Sequence, residues 1–419
     1  MTTAQDLQLR IDGARLLDQL DRLRAVGATV DGGVSRLAFT AADVAGRDLV
    51  ADFMRAAGLE VRVDPAGNLI GSRAGRLAGL PALVLGSHLD TVPGGGAYDG
   101  AYGVVAAVEV LRTLRDRQIQ LDRRVDVVAF SNEEGASGAP AMFGSRAVAG
   151  RVTADELRQT VNDGRTVAEL LDGAGGDSAR IEQARWPAGT TSCYLELHIE
   201  QGPILEAQGL HIGVVEGISG RQTVEITVHG ETNHGGTTPM ESRKDALVAA
   251  AEVVLAVPGL AGEHGLVRVA TVGDCRVQPG AWNVIPGQAR LVVDLRDLST
   301  EAMIAALAEL RRQVAQVASR TGTDIEVTPL QRIPAALCDK QQFQLIEEVA
   351  SSLRLRYRSM PSGAGHDAQW IAEIAPIGMV FVPSHGGASH VAREWTDPAD
   401  LINGADVLLG CTLAEGMAK

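Results

Sequence analysis

Five places in the chain carry side chains able to hold a metal ion. His88 lies in Ser-His-Leu-Asp (87–90), two residues before Asp90. A carboxylate that close can orient the imidazole through its ring N–H, a common arrangement around metal-bound histidine. Asp99 sits in Ala-Tyr-Asp-Gly-Ala (97–101), a glycine-containing turn that opens a helical stretch. It is either a carboxylate turned into a cleft or a helix N-cap. Glu133 and Glu134 are adjacent at the end of an apolar run. Their mutual repulsion calls for a cation: one could hold a metal while the other accepts a proton from water there, or both are solvated in a surface turn. In Tyr-Leu-Glu-Leu-His-Ile-Glu-Gln-Gly (194–202), alternation puts Glu196, His198 and Glu200 on one strand face, and His198 is a ligand or a hydrogen-bonded structural residue. His390 closes the Gly/Ser loop Pro-Ser-His-Gly-Gly-Ala-Ser-His (383–390), where His385 competes with it. Nitrogen and oxygen ligands without thiolate suit Zn, Mn, Co or Ni. A carboxylate shared by two ions about 3.5–4 Å apart would let three histidines and two carboxylates complete a dinuclear hydrolytic site.

The elements needed to bring these residues together are legible. Helical spacing runs from Ala14 to Leu23 and from Thr40 to Ala57, and Val61 to Ser72 alternates around an Asp-Pro-Ala-Gly turn (64–67), as a strand pair would. Ala82 to Gly86 and Val125 to Phe130 are short apolar runs separated by a helical stretch from Val104 to Arg117. Strand–helix–strand predicts an α/β fold, a mainly parallel sheet with helices on both faces. Ligand groups collect beyond the carboxyl ends of such strands, where 87–90 and 131–135 fall.

From Arg221 the pattern changes. Strands are expected at Gln222–His229, Leu266–Val272, Ala289–Leu295 and Asp324–Leu330, with helices at Arg243–Val257 and Thr300–Arg320. This βαββαβ order predicts an inserted ferredoxin-like domain, taken as 213–330. Residues 1–212 and 331–419 then form the larger domain, with a helix near Gln341–Leu353 and a strand near Ile377–Val382.

Composition narrows the function classes. The 419 residues are 45% hydrophobic and 21% charged, ordinary for a globular chain. Lys and Arg number 38 against 52 Asp and Glu, a formal charge of −14, which disfavours nucleic acid and anionic membrane as partners. Four dispersed cysteines make neither a disulfide framework nor a zinc ribbon and suit a reducing compartment. The opening Met1–Arg10 is polar, without an apolar stretch of signal-peptide length, and no window reaches the ~20 apolar residues of a membrane span. The expectation is a soluble cytoplasmic protein.

Several motifs occur in order: Gly-Ser-His-Leu-Asp-Thr-Val (86–92), Tyr-Asp-Gly (98–100), Asn-Glu-Glu-Gly (132–135), Leu-His-Ile-Glu-Gln-Gly-Pro (197–203), His-Gly-Gly-Thr-Thr-Pro-Met (234–240), Asn-Val-Ile-Pro-Gly (283–287), Asp-Leu-Arg-Asp (294–297), Ser-Gly-Ala-Gly-His-Asp-Ala (362–368) and Ser-His (389–390). The set resembles the hydantoinase/carbamoylase family, a branch of the di-metal aminoacylase/carboxypeptidase superfamily, over nearly the whole chain. The resemblance implies two divalent metal ions per subunit: His88, Asp99 and His198 on one, and Asp99, Glu134 and His390 on the other, with Asp99 bridging. It implies Glu133 as general base and Asp90 as the residue that orients His88. His234 is implied to reach across a dimer interface to the oxyanion, and Gln201, Asn283, Arg296, Gly363 and His366 to line the substrate pocket.

The implied activity is hydrolysis of a C–N bond in a carbamoyl or ureido acid, such as an N-carbamoyl-L-amino acid or allantoate, by a homodimer joined through the small lid domain. An N-acyl-amino-acid hydrolase or dipeptidase on the same scaffold is the nearest alternative. A non-catalytic metal-binding scaffold is another, against which the retention of both Glu133 and Glu134 argues. No G-x-S-x-G elbow is present for a serine hydrolase. The chain departs from the family pattern at Ala136-Ser137-Gly138 and at Ala392, where a proline is common; both flank the implied site and bear on substrate choice.

Overall fold

The computed structural model describes residues 9–262 and 265–418, so most of the polar opening segment lies outside the described residues. Local capping starts the first helices. The Asp12 carboxylate accepts the Arg15 backbone N–H at the head of helix Gly13–Arg24, and the Thr40 hydroxyl accepts that of Asp43 at the head of helix Ala41–Ala56. The strand pair is β1 (Glu60–Val63) and β2 (Leu69–Arg73), whose turn is held by Asp64 accepting the N–H groups of Ala66 and Asn68.

β3 (Ala82–His88) and β4 (Val125–Phe130) are buried along their whole length, as continuous apolar runs in a covered sheet should be. The helix between them, Ala101–Asp116, is itself buried nearly all round. β5 (Thr191–Ile199) and β6 (Ile212–Ile218) follow. The chain then forms β7 (Gly220–His229), the two-residue β8 (Asn233–His234), β9 (Val269–Gln278), the equally short β10 (Val284–Ile285), β11 (Gln288–Asp297) and β12 (Asp324–Ile333). It returns through β13 (Ala336–Leu337), β14 (Tyr357–Ser362) and β15 (Ile377–Val382) to a final helix, Pro398–Gly416.

The described chain divides into two compact units, one running to Gly217 and resuming at Leu337, the other Ile218–Ala336. The first is a mixed α/β unit around a nine-stranded sheet ordered β1-β2-β4-β3-β5-β15-β6-β13, with β14 also paired to β6. Its middle strands β4, β3, β5 and β15 are mutually parallel, whereas β1, β2 and β6 pair antiparallel. Those four parallel strands therefore send their carboxyl ends to one edge of the sheet. Val105, Val108 and Leu111 from helix Ala101–Asp116, Leu83 and Leu85 from β3 and Leu408 from the final helix share one apolar core; each fully buried side chain of this kind contributes about 1.5–3 kcal/mol.

The second unit has a four-stranded antiparallel sheet ordered β12-β7-β11-β9 and helices Ala246–Ala256 and Thr300–Thr321. β7 and β11 alternate buried and half-buried residues, so one face carries the core. β8 and β10 form a separate short ladder pairing His234 with Val284.

Two sequence expectations are corrected. The strand anticipated at Leu266–Val272 is β9, Val269–Gln278: its second half, with Asp274 and Arg276, shows no apolar run and is ordered by its ladder with β11. The final helix Pro398–Gly416 was not anticipated, because it is buried nearly all round and shows no amphipathic period.

Candidate metal centre

Every residue of the centre lies at the end of a parallel strand or follows one, or stands just ahead of the helix Ala101–Asp116. His88 is the last residue of β3, Glu133 and Glu134 follow β4, His198 is the penultimate residue of β5, and His390 lies in the loop beyond β15. Asp99 immediately precedes Gly100, the residue ahead of helix Ala101–Asp116. A Cβ on Gly100 would lie 2.3 Å from the His88 ring. Only glycine lets the backbone pass that close, and at φ 62° it also takes the left-handed conformation most easily.

Asp99 is the hub. Its Oδ1 is 3.5 Å from His88 Nε2 and 3.2 Å from His198 Nε2, while its Oδ2 is 3.2 Å from His390 Nε2. His390 Nε2 is also 3.5 Å from Glu134 Oε1, and Glu133 Oε2 is 3.9 Å from His88 Nε2. Two ligand groups share Asp99: His88, Asp99 and His198, then Asp99, Glu134 and His390. A third, Glu196, His198 and His366, meets the first at His198.

The histidine tautomers are fixed by backbone carbonyls, which only accept. His88 Nδ1 is 3.0 Å from the Asp90 carbonyl oxygen and His198 Nδ1 is 2.9 Å from that of Ile199. Each Nδ1 therefore carries a hydrogen, and each Nε2 is left facing Asp99, where its lone pair becomes available to a cation once any proton there is given up. The Asp90 carboxylate stands 3.7 Å from His88 Nδ1 and accepts the backbone N–H groups of Glu133 and Glu134, at 3.1 Å each. It thereby clamps the loop that carries both glutamates.

Electrostatics mark the same place. Burial pushes the Asp99 carboxyl up, but hydrogen bonds from His198, His390 and His88 outweigh it and hold it well below the ordinary range. Burial raises Glu133 well above the ordinary value, and burial with Asp99 alongside pushes Glu134 up to about 7. The Glu134 Oε1 atom is buried and takes no hydrogen bond. Several buried acids and an orphaned carboxylate oxygen crowded beside three imidazoles form a site that favours added positive charge. A divalent cation fits that donor set of nitrogen and oxygen ligands.

The supporting shell is dense. Gln201 donates from Nε2 to Asp99 Oδ2 (2.7 Å) and to Ser389 Oγ (3.2 Å), leaving its own buried Oε1 unpaired. His366 packs edge-on against His198 with ring centres 4.6 Å apart, shares a hydrogen bond with Ser362, and is held neutral by burial and the adjacent His198. Gly363 is exposed nearby in sequence. Asn132, Met142, Gln201 and His390, all in these loops, have positive φ, the kind of backbone strain that gathers at functional sites. His385 points elsewhere, paired with Glu206 at 2.6 Å.

In the second unit, His234 is exposed on β8. Its Nδ1 accepts the N–H groups of Gly236 (3.0 Å) and Thr237 (3.1 Å), so its Nε2 carries a hydrogen. Asn283 is exposed, with its carbonyl taking the Gly235 N–H at 2.8 Å. Arg296 pairs with Asp294, Nη2 to Oδ2 3.0 Å.

Sequence reasoning missed Glu394 and Asp367. The buried Glu394 Oε1 accepts the backbone N–H groups of Tyr98 (3.0 Å) and Asp99 (3.1 Å), and its Oε2 is 3.1 Å from Ser389 Oγ. It so ties the loop of Asp99 to the loop of His390, and a Cβ on Gly96 would strike its carboxyl group at 2.0 Å. Its signal was a lone acid four residues past His390. Asp367 is fully buried, with Oδ1 accepting from Ser145 (2.5 Å) and Oδ2 unpaired. Of the three residues expected on one strand face, Glu196 takes hydrogen bonds from Ser87 and Tyr194, while Glu200, just past the end of β5, accepts the N–H groups of Ile204 and Leu205.

Comparison with known proteins agrees in extent with this geometry. A sequence model described as Peptidase family M20/M25/M40 matches residues 84–414. An N-carbamoyl-L-amino acid amidohydrolase of Geobacillus stearothermophilus is 40% identical over 398 residues, covering 95% of this chain and 97% of that protein. A ureidoglycolate hydrolase of Arabidopsis thaliana is 35% identical over 415 residues, 97% of this chain and 87% of that protein. Among solved structures, a hydantoinase/carbamoylase family amidase from Burkholderia multivorans superposes with a TM-score of 0.90 at 39% identity, covering 98% of this chain and 99% of that one.

Proposed function

Since the chain belongs to Peptidase family M20/M25/M40 and is a hydrolase of C–N bonds, we propose that it is a metal-dependent amidohydrolase of a carbamoyl or ureido acid, such as an N-carbamoyl-L-amino acid. The observation that carries the reading is Asp99, with one oxygen towards His88 and His198 and the other towards His390 beside Glu134. Full-length similarity to enzymes named for carbamoyl and ureido substrates supports the substrate class.

His88, Asp99 and His198 would hold one divalent ion, and Asp99, Glu134 and His390 a second. Bound there, such ions supply a lowered pKa for water and polarise a carbonyl oxygen. The chain's own residues do the rest. Glu133, beside His88 and fixed through its backbone N–H on Asp90, accepts a proton from the attacking water and returns it to the leaving nitrogen. The Nε2–H of His234 donates to the developing oxyanion. Arg296 and Asn283 take the substrate carboxylate, Arg296 exchanging its Asp294 pairing for a bidentate one, and Gln201, Gly363 and His366 line the pocket. With ureido cleavage the products are ammonia, carbon dioxide and an amine.

The second unit acts as a ferredoxin-like lid and dimerisation domain in this reading, with 213–330 inserted between 1–212 and 331–419. Helix Ala246–Ala256 supports a homodimer: it is almost wholly apolar, yet Leu247, Val248 and Leu255 are exposed. Among the described residues no helix is long and apolar enough to cross a membrane, and a cytoplasmic setting remains part of the proposal.

The test is ammonia release by protein stripped of metal and reloaded separately with Zn, Mn, Co or Ni. The panel holds N-carbamoyl-L-amino acids, allantoate, ureidoglycolate and, followed by amine release, N-acetyl-amino acids. Metal-dependent turnover of a ureido compound, lost in Glu133→Gln, is expected. Turnover of the acetyl compounds alone would replace this reading with an N-acyl-amino-acid hydrolase.

A further inference from the structure

At the opposite edge of the first unit's sheet, a cavity of about 760 Å³ opens at the amino ends of β3, β4 and β5. Its walls are the loops 74–81 and 183–190, and its floor includes Val84 and Asp126. Gly79 and Gly189, one in each loop, have left-handed φ of 81° and 76° and nothing within 4 Å of where a Cβ would be.

The lining is unlike the rest of the chain in charge. Arg62, Arg76, Arg124 and Arg185 face the cavity with Asp126 as the lone acid, on a protein whose formal charge is −14. Arg76 is bound to Asp122 at 2.7 Å and Arg124 to Asp126 Oδ2 at 2.9 Å. Arg62 and Arg185 form no ion pair among the described residues, and both are exposed. The Asp126 side chain is more than nine-tenths buried, 7% exposed, and its Oδ1 has no hydrogen-bond partner. Trp186 lies tilted against Phe130, ring centres 6.2 Å apart, and contributes an aromatic surface to the wall.

Two guanidinium groups without an ion pair and one orphaned buried acceptor define a complementary ligand: a carboxylate for the arginines and an N–H for the aspartate. Leu80, Val84 and Trp186 offer apolar surface to its body. We propose that this cavity is a second ligand site, separate from the metal centre, for a small carboxylate bearing an N–H group, with Arg62 and Arg185 on the carboxylate and Asp126 on the N–H. Free amino acids and ureido acids share that chemistry. If the proposed function holds, these are what the metal centre releases and consumes, but the assignment rests on the lining residues alone.

The chain has four tryptophans, so 5-fluorotryptophan labelling gives separate fluorine NMR signals, with Trp186→Phe assigning the one in the cavity wall. Metal-loaded Glu133→Gln protein, chosen so that carbamoyl compounds are not consumed, is titrated with L-leucine, N-carbamoyl-L-leucine, L-leucinamide and 4-methylpentanoate. The Trp186 signal is expected to shift saturably with one or both of the first two, which identifies an amino or a ureido acid as the occupant. Leucinamide lacks the carboxylate and 4-methylpentanoate the N–H, so each should bind about tenfold or more weaker, as should leucine to the Arg62→Ala/Arg185→Ala variant. Both arginines are exposed, so their replacement leaves the core intact. A Trp186 signal unmoved by either acid, a response equal with leucinamide, or one retained in the double variant would overturn the site. Because the readout is binding at Trp186, none of these outcomes depends on which substrate the metal centre hydrolyses.

Discussion

The candidate metal centre and the short ladder of the second unit present their proposed functional side chains in opposite ways. His88, Asp99 and His198 are 2%, 4% and 1% exposed, set on strand ends, with tautomers and rotamers fixed by backbone groups. His234 and Asn283 are exposed on a two-residue ladder, and Arg296 is occupied by Asp294 on its own strand. A buried cluster short of positive charge is complete but for the cation that neutralises it. Exposed donors gain strength only when something desolvates them. On the proposed reading, the first unit carries a site organised in advance, and the second carries groups that await a substrate.

If that contrast is right, the largest effect belongs to the buried side. Glu133→Gln should lower kcat by roughly 10²–10⁴-fold with metal content unchanged, checked by steady-state kinetics beside elemental analysis. Loss of metal together with activity would make Glu133 a ligand and blur the distinction from Glu134. His234→Ala tests the exposed side. An oxyanion donor removed should cost about 10²–10³-fold in kcat, with metal affinity and KM little altered; a change confined to KM would assign it to ground-state binding.

Glu394→Ala sharpens the comparison by attacking the support of the centre rather than its ligands. Releasing the Asp99 backbone from Glu394 should weaken metal binding by about 10–100-fold, as loss of a ligand's hydrogen-bond partner typically does, measured by titration with a chromophoric chelator. Unchanged affinity would mean that strands alone fix the hub. The smallest effect concerns the acid behind the centre. Burial pushes the Asp367 carboxyl up to about 8. Being raised in the folded state, it contributes stability that is full below its unfolded pKa of about 4 and is lost as pH rises through about 8. In metal-free protein, denaturant unfolding should therefore show Asp367→Asn losing about 1 kcal/mol less stability than the parent between pH 6 and 7, inside the interval where only the unfolded chain has given up the proton. Parallel pH profiles would place the group's titration outside that window.

Much of the centre was legible because its residues follow apolar runs. His88, Glu133 and Glu134 stood just beyond β3 and β4, and a parallel sheet sends such ends to one edge. His198 was legible from alternation along β5, and the loop 383–390 from its lack of core-forming residues. The choice between His390 and His385 was open to the residues alone, since both share that loop; packing turned His385 to Glu206. Glu394 and Asp367 were invisible because a lone acid in a polar stretch looks solvated, and only burial shows otherwise. The end of β9 and the final helix escaped for a related reason: a ladder partner orders a charged half-strand, and an all-buried helix has no polar face to give it a period.

What the sequence determined by itself was the set of elements and the chemical kind of the site: periodicity is local, and nitrogen and oxygen ligands beyond strand ends already imply a divalent cation. What only the tertiary structure decided was which acids are buried and whom they serve. Asp90 sits two residues from His88, yet its carboxylate holds the N–H groups of Glu133 and Glu134. Asp99 precedes a helix, yet it faces three histidines instead of capping the turn. Such assignments depend on distances between residues far apart in the chain, which local propensity does not encode and which the parallel strands fix by their shared direction.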